Sequence, residues 1–120
     1  MELEASHARI ARLAKAEMMR DLSDPKTIPA LAKACGVSPT TLKDAFRRTY
    51  GVPIYSWYRD YRVRRASEML LADDRTVAQV AAEVGYSNPS KFAKAFSTCL
   101  GMTPHEWRSS GSMPADGLPA

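Results

Sequence analysis

The chain has 120 residues, 45% apolar and 25% charged, with a net charge of +4 and two cysteines. That is enough for one compact unit or two very small lobes. It holds no apolar run of membrane-spanning length, and its acidic N-terminus lacks the apolar stretch of a signal peptide, so a cytoplasmic protein with reduced thiols is expected.

The charge is unevenly placed. Met1–Asp24 carries four Lys/Arg against five Asp/Glu, whereas Pro25–Arg108 carries thirteen against seven. The basic excess sits where an electrostatic footprint on phosphate would need it.

Residues from about Ser6 to Leu22 predict a first helix with an apolar stripe of Ile10, Leu13, Ala14 and Met18. Arg9, Arg12, Lys15 and Arg20 lie mostly off that stripe, which is too short for a coiled coil. Asp24-Pro25 ends the segment, because the residue before proline is disfavoured in the α region. Thr27 is a good N-cap for a second helix, with Pro29 tolerated in its first turn. Ile28, Leu31, Ala32 and Cys35 form its inner face, and Gly36 follows. Ser38-Pro39 repeats the cap-then-proline start for a third helix. That helix buries Leu42, Ala45 and Phe46 and turns Thr40, Lys43, Asp44 and Arg47 outward, with Arg48 flanking.

Val52-Pro53 opens a long helix from about Pro53 to Ala72, with apolar area from Ile54, Trp57, Tyr58 and Tyr61, then Ala66, Met69 and Leu70. It would run ~30 Å, comparable to the ~34 Å of one DNA turn. Arg59, Arg62, Arg64 and Arg65 spread round it. Asp73-Asp74-Arg75 is a short polar link. Val77, Val80, Ala81 and Val84 then mark an amphipathic helix, which Gly85 stops by accepting φ > 0. Ser87 or Asn88 caps the next helix, with Pro89 at its start. It buries Phe92, Ala95 and Phe96 and turns Pro89, Ser90, Lys91 and Lys94 outward. After Gly101, Thr103 caps a last short helix that buries Trp107, and residues 109–120 are expected to be a disordered tail.

The chain repeats itself. Ile28, Leu31, Ala32, Cys35 and Gly36 match Val77, Val80, Ala81, Val84 and Gly85 at one offset. After one inserted residue, Leu42, Ala45, Phe46, Gly51 and Trp57 match Phe92, Ala95, Phe96, Gly101 and Trp107. A short helix, a glycine turn and a second helix with a polar, basic outer face make a helix-turn-helix, which lays its second helix in the major groove of DNA. Two such units in register imply an internal duplication.

Neither Cys35 nor Cys99 has metal-ligand spacing to the other or to His7 or His105, and the chain has no glycine-rich phosphate loop, so no enzyme, metal or cofactor is expected. Two rival readings stay open: a helical protein-interaction module without DNA binding, and DNA-repair-type thiol chemistry.

The stretches RVRRASEMLL, TVAQVAAEVGYSNPSKFAKAF and LGMTPHEWR together resemble the DNA-binding domain of AraC/XylS-type bacterial transcription regulators, from about Ile10 to Arg108. SPTTLK and GYSNPSKFAKAF are most similar to the branch regulating siderophore and iron uptake. The resemblance implies an all-α fold of about seven helices, with two helix-turn-helix lobes (about 6–52 and 73–108) joined by a central helix (about 53–72). It implies sequence-specific binding of double-stranded DNA, one monomer spanning two adjacent major grooves. Carried over by position, Thr40, Lys43 and Asp44 read bases in lobe one, and Pro89, Ser90 and Lys94, with Lys91 beside them, in lobe two. Thr41, Arg47, Arg48, Arg62 and Asn88 are the expected phosphate contacts. RNA polymerase is a further expected partner. Members usually carry an effector-binding or dimerisation domain that this chain lacks, so a C-terminal fragment or a short stand-alone member is expected. Two positions depart from the amide-bearing or larger side chains common in the family: Pro89 offers no donor, and Asp44 can only accept, for instance from a cytosine amine.

Overall fold

The computed structural model describes the backbone of residues 2–111 and the side chains of residues 6–111. Among these residues it contains seven helices and no strand: α1 (Glu2–Arg20), α2 (Ile28–Ala34), α3 (Pro39–Tyr50), α4 (Ile54–Ala72), α5 (Val77–Glu83), α6 (Pro89–Leu100) and α7 (Pro104–Ser110). The expected all-α architecture is found. Contacts divide the chain into two compact units, Met1–Tyr58 and Arg59–Ala120. Their boundary falls inside α4, within the segment read as a linker, and each unit draws core residues from its own part of that helix.

Local chemistry sets the helix starts. Thr27, Ser38, Thr76, Asn88 and Thr103 each accept a backbone N–H from the first turn they precede, which satisfies an otherwise orphaned donor. Asn88, rather than Ser87, caps α6. Thr76 and Thr103 complete reciprocal capping boxes with Gln79 and Glu106.

The duplication extends to the hydrogen bonds of the turns. After α2, Gly36 N donates to Lys33 O at 3.1 Å and Val37 N to Ala32 O at 3.0 Å; after α5, Gly85 N donates to Ala82 O at 3.0 Å and Tyr86 N to Ala81 O at 2.8 Å. The bonds from Val37 N and Tyr86 N, each reaching five residues back, close Schellman-type ends, which need a left-handed residue. Gly36 and Gly85 supply it with φ of 71° and 88°.

In unit 1, Ile10, Ala11, Ala14 and Met18 of α1 pack with Leu31 and Ala32 of α2, Leu42, Ala45 and Phe46 of α3, and Ile54 and Tyr58. Phe46 sits 4.8 Å from Tyr50 and 5.9 Å from Trp57, ring centre to ring centre. Lys15 lies over both of those partner rings, at 5.2 and 5.6 Å, an attraction between cation and ring quadrupole. The Tyr58 hydroxyl accepts from Lys26 N at 3.1 Å and so ties down the loop before α2.

In unit 2, Val63, Ala66 and Leu70 of α4 pack in a core with Val80, Ala81, Val84, Phe92, Phe96, Leu100 and Trp107. Trp107 stands edge-on to Phe96 at 6.1 Å, and its indole N–H donates to Ser67 O at 2.9 Å. Arg108 Nε donates to Leu70 O at 3.0 Å. These two bonds seat α7 on carbonyls of α4.

Four expectations need correction. Leu13 is 49% exposed, and Ala11 is buried in its place. At about 100° per residue Ile10, Ala11, Ala14 and Met18 span one 100° arc, and Leu13 falls outside it. Ala95 is half-buried, unlike its partner Ala45. α1 ends at Arg20, not Leu22, because the Asp21 carboxylate accepts from Ser23 N at 3.0 Å and turns the chain. α7 continues through Ser109 and Ser110 to a left-handed Gly111, so these residues do not belong to the expected tail, the rest of which, 112–120, lies outside the described residues.

Candidate nucleic-acid interface

α3 and α6 are each buried on one side and open on the other. Leu42, Ala45 and Phe46 anchor α3; Phe92, Phe96 and Leu100 anchor α6. The 3.6-residue period then forces the intervening positions outward. Thr40, Thr41, Lys43, Asp44, Arg47 and Arg48 are exposed on α3, as are Asn88, Pro89, Ser90, Lys91 and Lys94 on or beside α6. The structure thus brings each lobe's candidates together on one exposed helix face, with Arg62 apart from them.

The neighbours of these side chains distinguish their capacities. Lys43 and Arg47 make no side-chain hydrogen bond or ion pair among the described residues, nor do Ser90, Lys91 and Lys94, so all five can serve a ligand. Asp44 is engaged: Arg48 Nε donates to its Oδ2 at 2.9 Å, and His7 Nε2 lies 4.0 Å from the same oxygen. Arg48 and Asp44 therefore partly cancel each other's charge. Ser38 Oγ donates to Thr41 Oγ1 at 3.0 Å while accepting Thr41 N, which ties Thr41 to the cap. Asn88 Oδ1 accepts from both Ser90 N and Lys91 N, at 2.9 and 3.2 Å. α6 contains no acidic residue and α3 only Asp44, so both faces are net positive.

Arg62, expected at a phosphate, has partners of its own within unit 2. Its Nε donates to Val84 O at 2.7 Å, and its guanidinium lies 4.0 Å over the Tyr86 ring. Tyr86 in turn packs on Phe92 at 5.5 Å. Arg62 thus braces the turn between α5 and α6 within unit 2.

A groove beside α3 was not legible in the apolar periodicity. Its volume is about 350 Å³, and Ile28, Lys43, Arg47, Pro53, Ile54 and Tyr55 line it. The available signal was Tyr55 itself, a large aromatic outside the Ile54/Tyr58 stripe; it is 73% exposed.

The thiols are poorly suited to nucleophilic chemistry. Burial pushes the Cys35 thiol above its ordinary value, with Glu17 adding to the effect. Burial, with a hydrogen bond from Sγ to Asp60 Oδ1 at 3.1 Å, raises the Cys99 thiol to about 11. Reactive cysteines need the opposite shift. No group of three or more His, Cys, Asp or Glu side chains among the described residues could hold a metal, and no helix there is long and apolar enough to cross a membrane.

The comparisons with known proteins agree with this geometry. A sequence profile of the family described as "Helix-turn-helix domain" matches residues 31–110. An AraC-like transcription regulator of Streptomyces lividans is 33% identical over 95 residues, covering 79% of this chain and 31% of the relative. Among solved structures, the C-terminal domain of AraT, a response regulator from Geobacillus stearothermophilus, superimposes with a TM-score of 0.82 at 24% identity, covering 88% of each chain. The DNA-binding domain of AdpA, a global transcriptional factor solved in complex with a target DNA, gives 0.77 at 25% identity, covering 84% of this chain and 90% of that one. The chain spans about a third or less of the length of the curated relatives it matches, 28–31% for three of them. The extent of the profile match, the duplicated turns and the two exposed basic helix faces lead to one statement: this chain belongs to the AraC-type helix-turn-helix family.

Proposed function

We propose that the chain binds double-stranded DNA sequence-specifically in transcription regulation, with α3 and α6 as its recognition helices in adjacent major grooves. The observation that carries this is the duplicated pairing of a buried aromatic anchor with an exposed face that presents two cations with no ion-pair partner among the described residues. Phe46 fixes α3 while Lys43 and Arg47 face out; Phe92 and Phe96 fix α6 while Lys91 and Lys94 face out. A recognition helix needs that combination, because its backbone must be rigid while its side chains stay available to base edges and phosphates.

In this reading Thr40 and Lys43 read bases from α3, with Asp44 chiefly orienting Arg48. Pro89, Ser90, Lys91 and Lys94 face the groove from α6, and Thr41, Arg47, Arg48 and Asn88 lie at phosphates. Promoter or operator DNA in the cytoplasm is the proposed partner, RNA polymerase a further one, and an effector-responsive domain belongs to the whole regulator. No catalytic step is part of this reading. Selecting bound duplexes from a random library tests it. Enrichment of one asymmetric site supports it, and a selected pool indistinguishable from the input sinks it in favour of a protein-interaction role.

A further inference from the structure

We infer that the groove at the start of α4 seats the DNA sugar–phosphate backbone, which makes Tyr55 a contact residue of unit 1. The inference rests on the DNA-binding reading above and extends it to a surface that the recognition-helix pattern does not contain.

The lining is amphiphilic in a specific way. Ile28, Pro53 and Ile54 give an apolar floor, Lys43 and Arg47 give two cations, and Tyr55 gives an exposed ring. No acidic side chain lines it, and the first turn of α4 contains none. Asp44, the nearest acid along α3, lies outside the lining and is bonded to Arg48. A phosphodiester strand matches both properties, with an anion for the cations and the deoxyribose for the apolar floor.

Continuity selects DNA over an acidic peptide. Lys43 and Arg47 belong at once to the groove and to the outward face of α3. A helix inserted in a major groove has a phosphate strand along each side, so an apolar, cation-edged trough beside that helix lies where a strand must pass. Tyr55 buries little of its area in the fold, so its presence is not explained by packing within unit 1.

The test uses charge swaps at Tyr55 in the full chain, measured against a long mixed-sequence duplex over a range of salt. Tyr55→Glu should weaken binding about tenfold at low salt. Tyr55→Lys should strengthen it and steepen the slope of log K against log salt by ~0.9, one further counterion released. The same swaps at Leu13, exposed on α1 outside the groove, control for net charge and should do much less. Unchanged thermal melts confirm intact folding, as the exposure of Tyr55 leads one to expect. If the original chain binds duplex DNA but the Tyr55 swaps act no more strongly than the Leu13 swaps, the groove inference fails alone. If the original chain binds no duplex, the DNA-binding reading fails with it.

Discussion

The two units share one helix-turn-helix plan but are braced by different chemistry. In unit 1 the aromatic layer of Phe46, Tyr50 and Trp57 is covered by the Lys15 ammonium, a cation over rings. In unit 2 directed hydrogen bonds do the equivalent work: Trp107 to Ser67 O, Arg108 to Leu70 O and Arg62 to Val84 O. At the corresponding turn in unit 1, the Cys35 thiol makes a weak contact to Ile10 O, at 3.9 Å. A duplicated pattern of apolar residues therefore specifies the shared framework, while the braces diverge because they depend on single polar side chains. The outward faces diverge as well. α3 mixes a hydroxyl, a lysine, an arginine and an acid, whereas α6 offers Pro89, Ser90 and two lysines.

The sharpest way to break this comparison is at the tryptophans. Trp107→Ala should cost about 3–5 kcal/mol, because it empties a fully buried site and strands Ser67 O. Trp57→Ala, at a partly buried site, should cost clearly less. Equal losses in chemical denaturation would mean the two units are braced alike. Phe46→Ala and Phe96→Ala, both fully buried, should each cost about 3–5 kcal/mol and serve as matched references.

Next in size is Arg62→Lys, which keeps the charge but loses the Nε–H and the planar stack on Tyr86. It should destabilise unit 2 by about 1–2 kcal/mol and leave the salt slope of DNA binding unchanged. An unaltered melt with a flattened slope would return Arg62 to the phosphate.

Comparable in free energy, and more telling for function, is the division of labour between the faces. Lys43→Ala should relax the preference at one or two base pairs in one half of the site, each contact being worth about 1–3 kcal/mol of discrimination. Lys94→Ala should lower affinity with less change in preference, because the α6 face of Pro89, Ser90 and two lysines is poor in bidentate hydrogen-bonding groups. Profiling both variants against single-base changes decides it, and the reverse pattern would exchange the roles of the two units.

The smallest effect is on pH. The bond from Thr103 N–H holds the Glu106 carboxyl below its ordinary value of 4.5. A depressed carboxylate stabilises above the unfolded value, and that stabilisation is lost as pH falls through the folded value. Acid titration followed by Trp107 fluorescence should show α7 loosening below pH 4.5, and Glu106→Gln should remove that dependence.

The framework was legible in the sequence because it is written in short-range signals. Thr27, Ser38, Thr103 and the glycines at 36, 51, 85 and 101 each act within one turn, and the apolar period names the faces. What escaped depends on contacts distant in sequence. Val63 is fully buried but lies outside the apolar sets read from α4, because the residues buried in unit 2 occupy a different face of that helix from Ile54 and Tyr58. Arg62 reads as one basic residue among four until Val84 O and Tyr86 come next to it. The pairing of Asp44 with Arg48 had an i,i+4 signal, but the approach of His7 from α1 did not.

The central claim is that both exposed basic faces engage one duplex. It is tested most directly by titrating the full chain against its selected site over a range of salt. With ~6 phosphates neutralised, log K should fall against log salt with a slope near −5. Charge removal at Arg47 in unit 1, and separately at Lys91 or Lys94 in unit 2, should flatten the slope by ~1 for each true phosphate contact. A slope that responds to one unit's cations and ignores the other's, or no binding at low salt, would contradict the account.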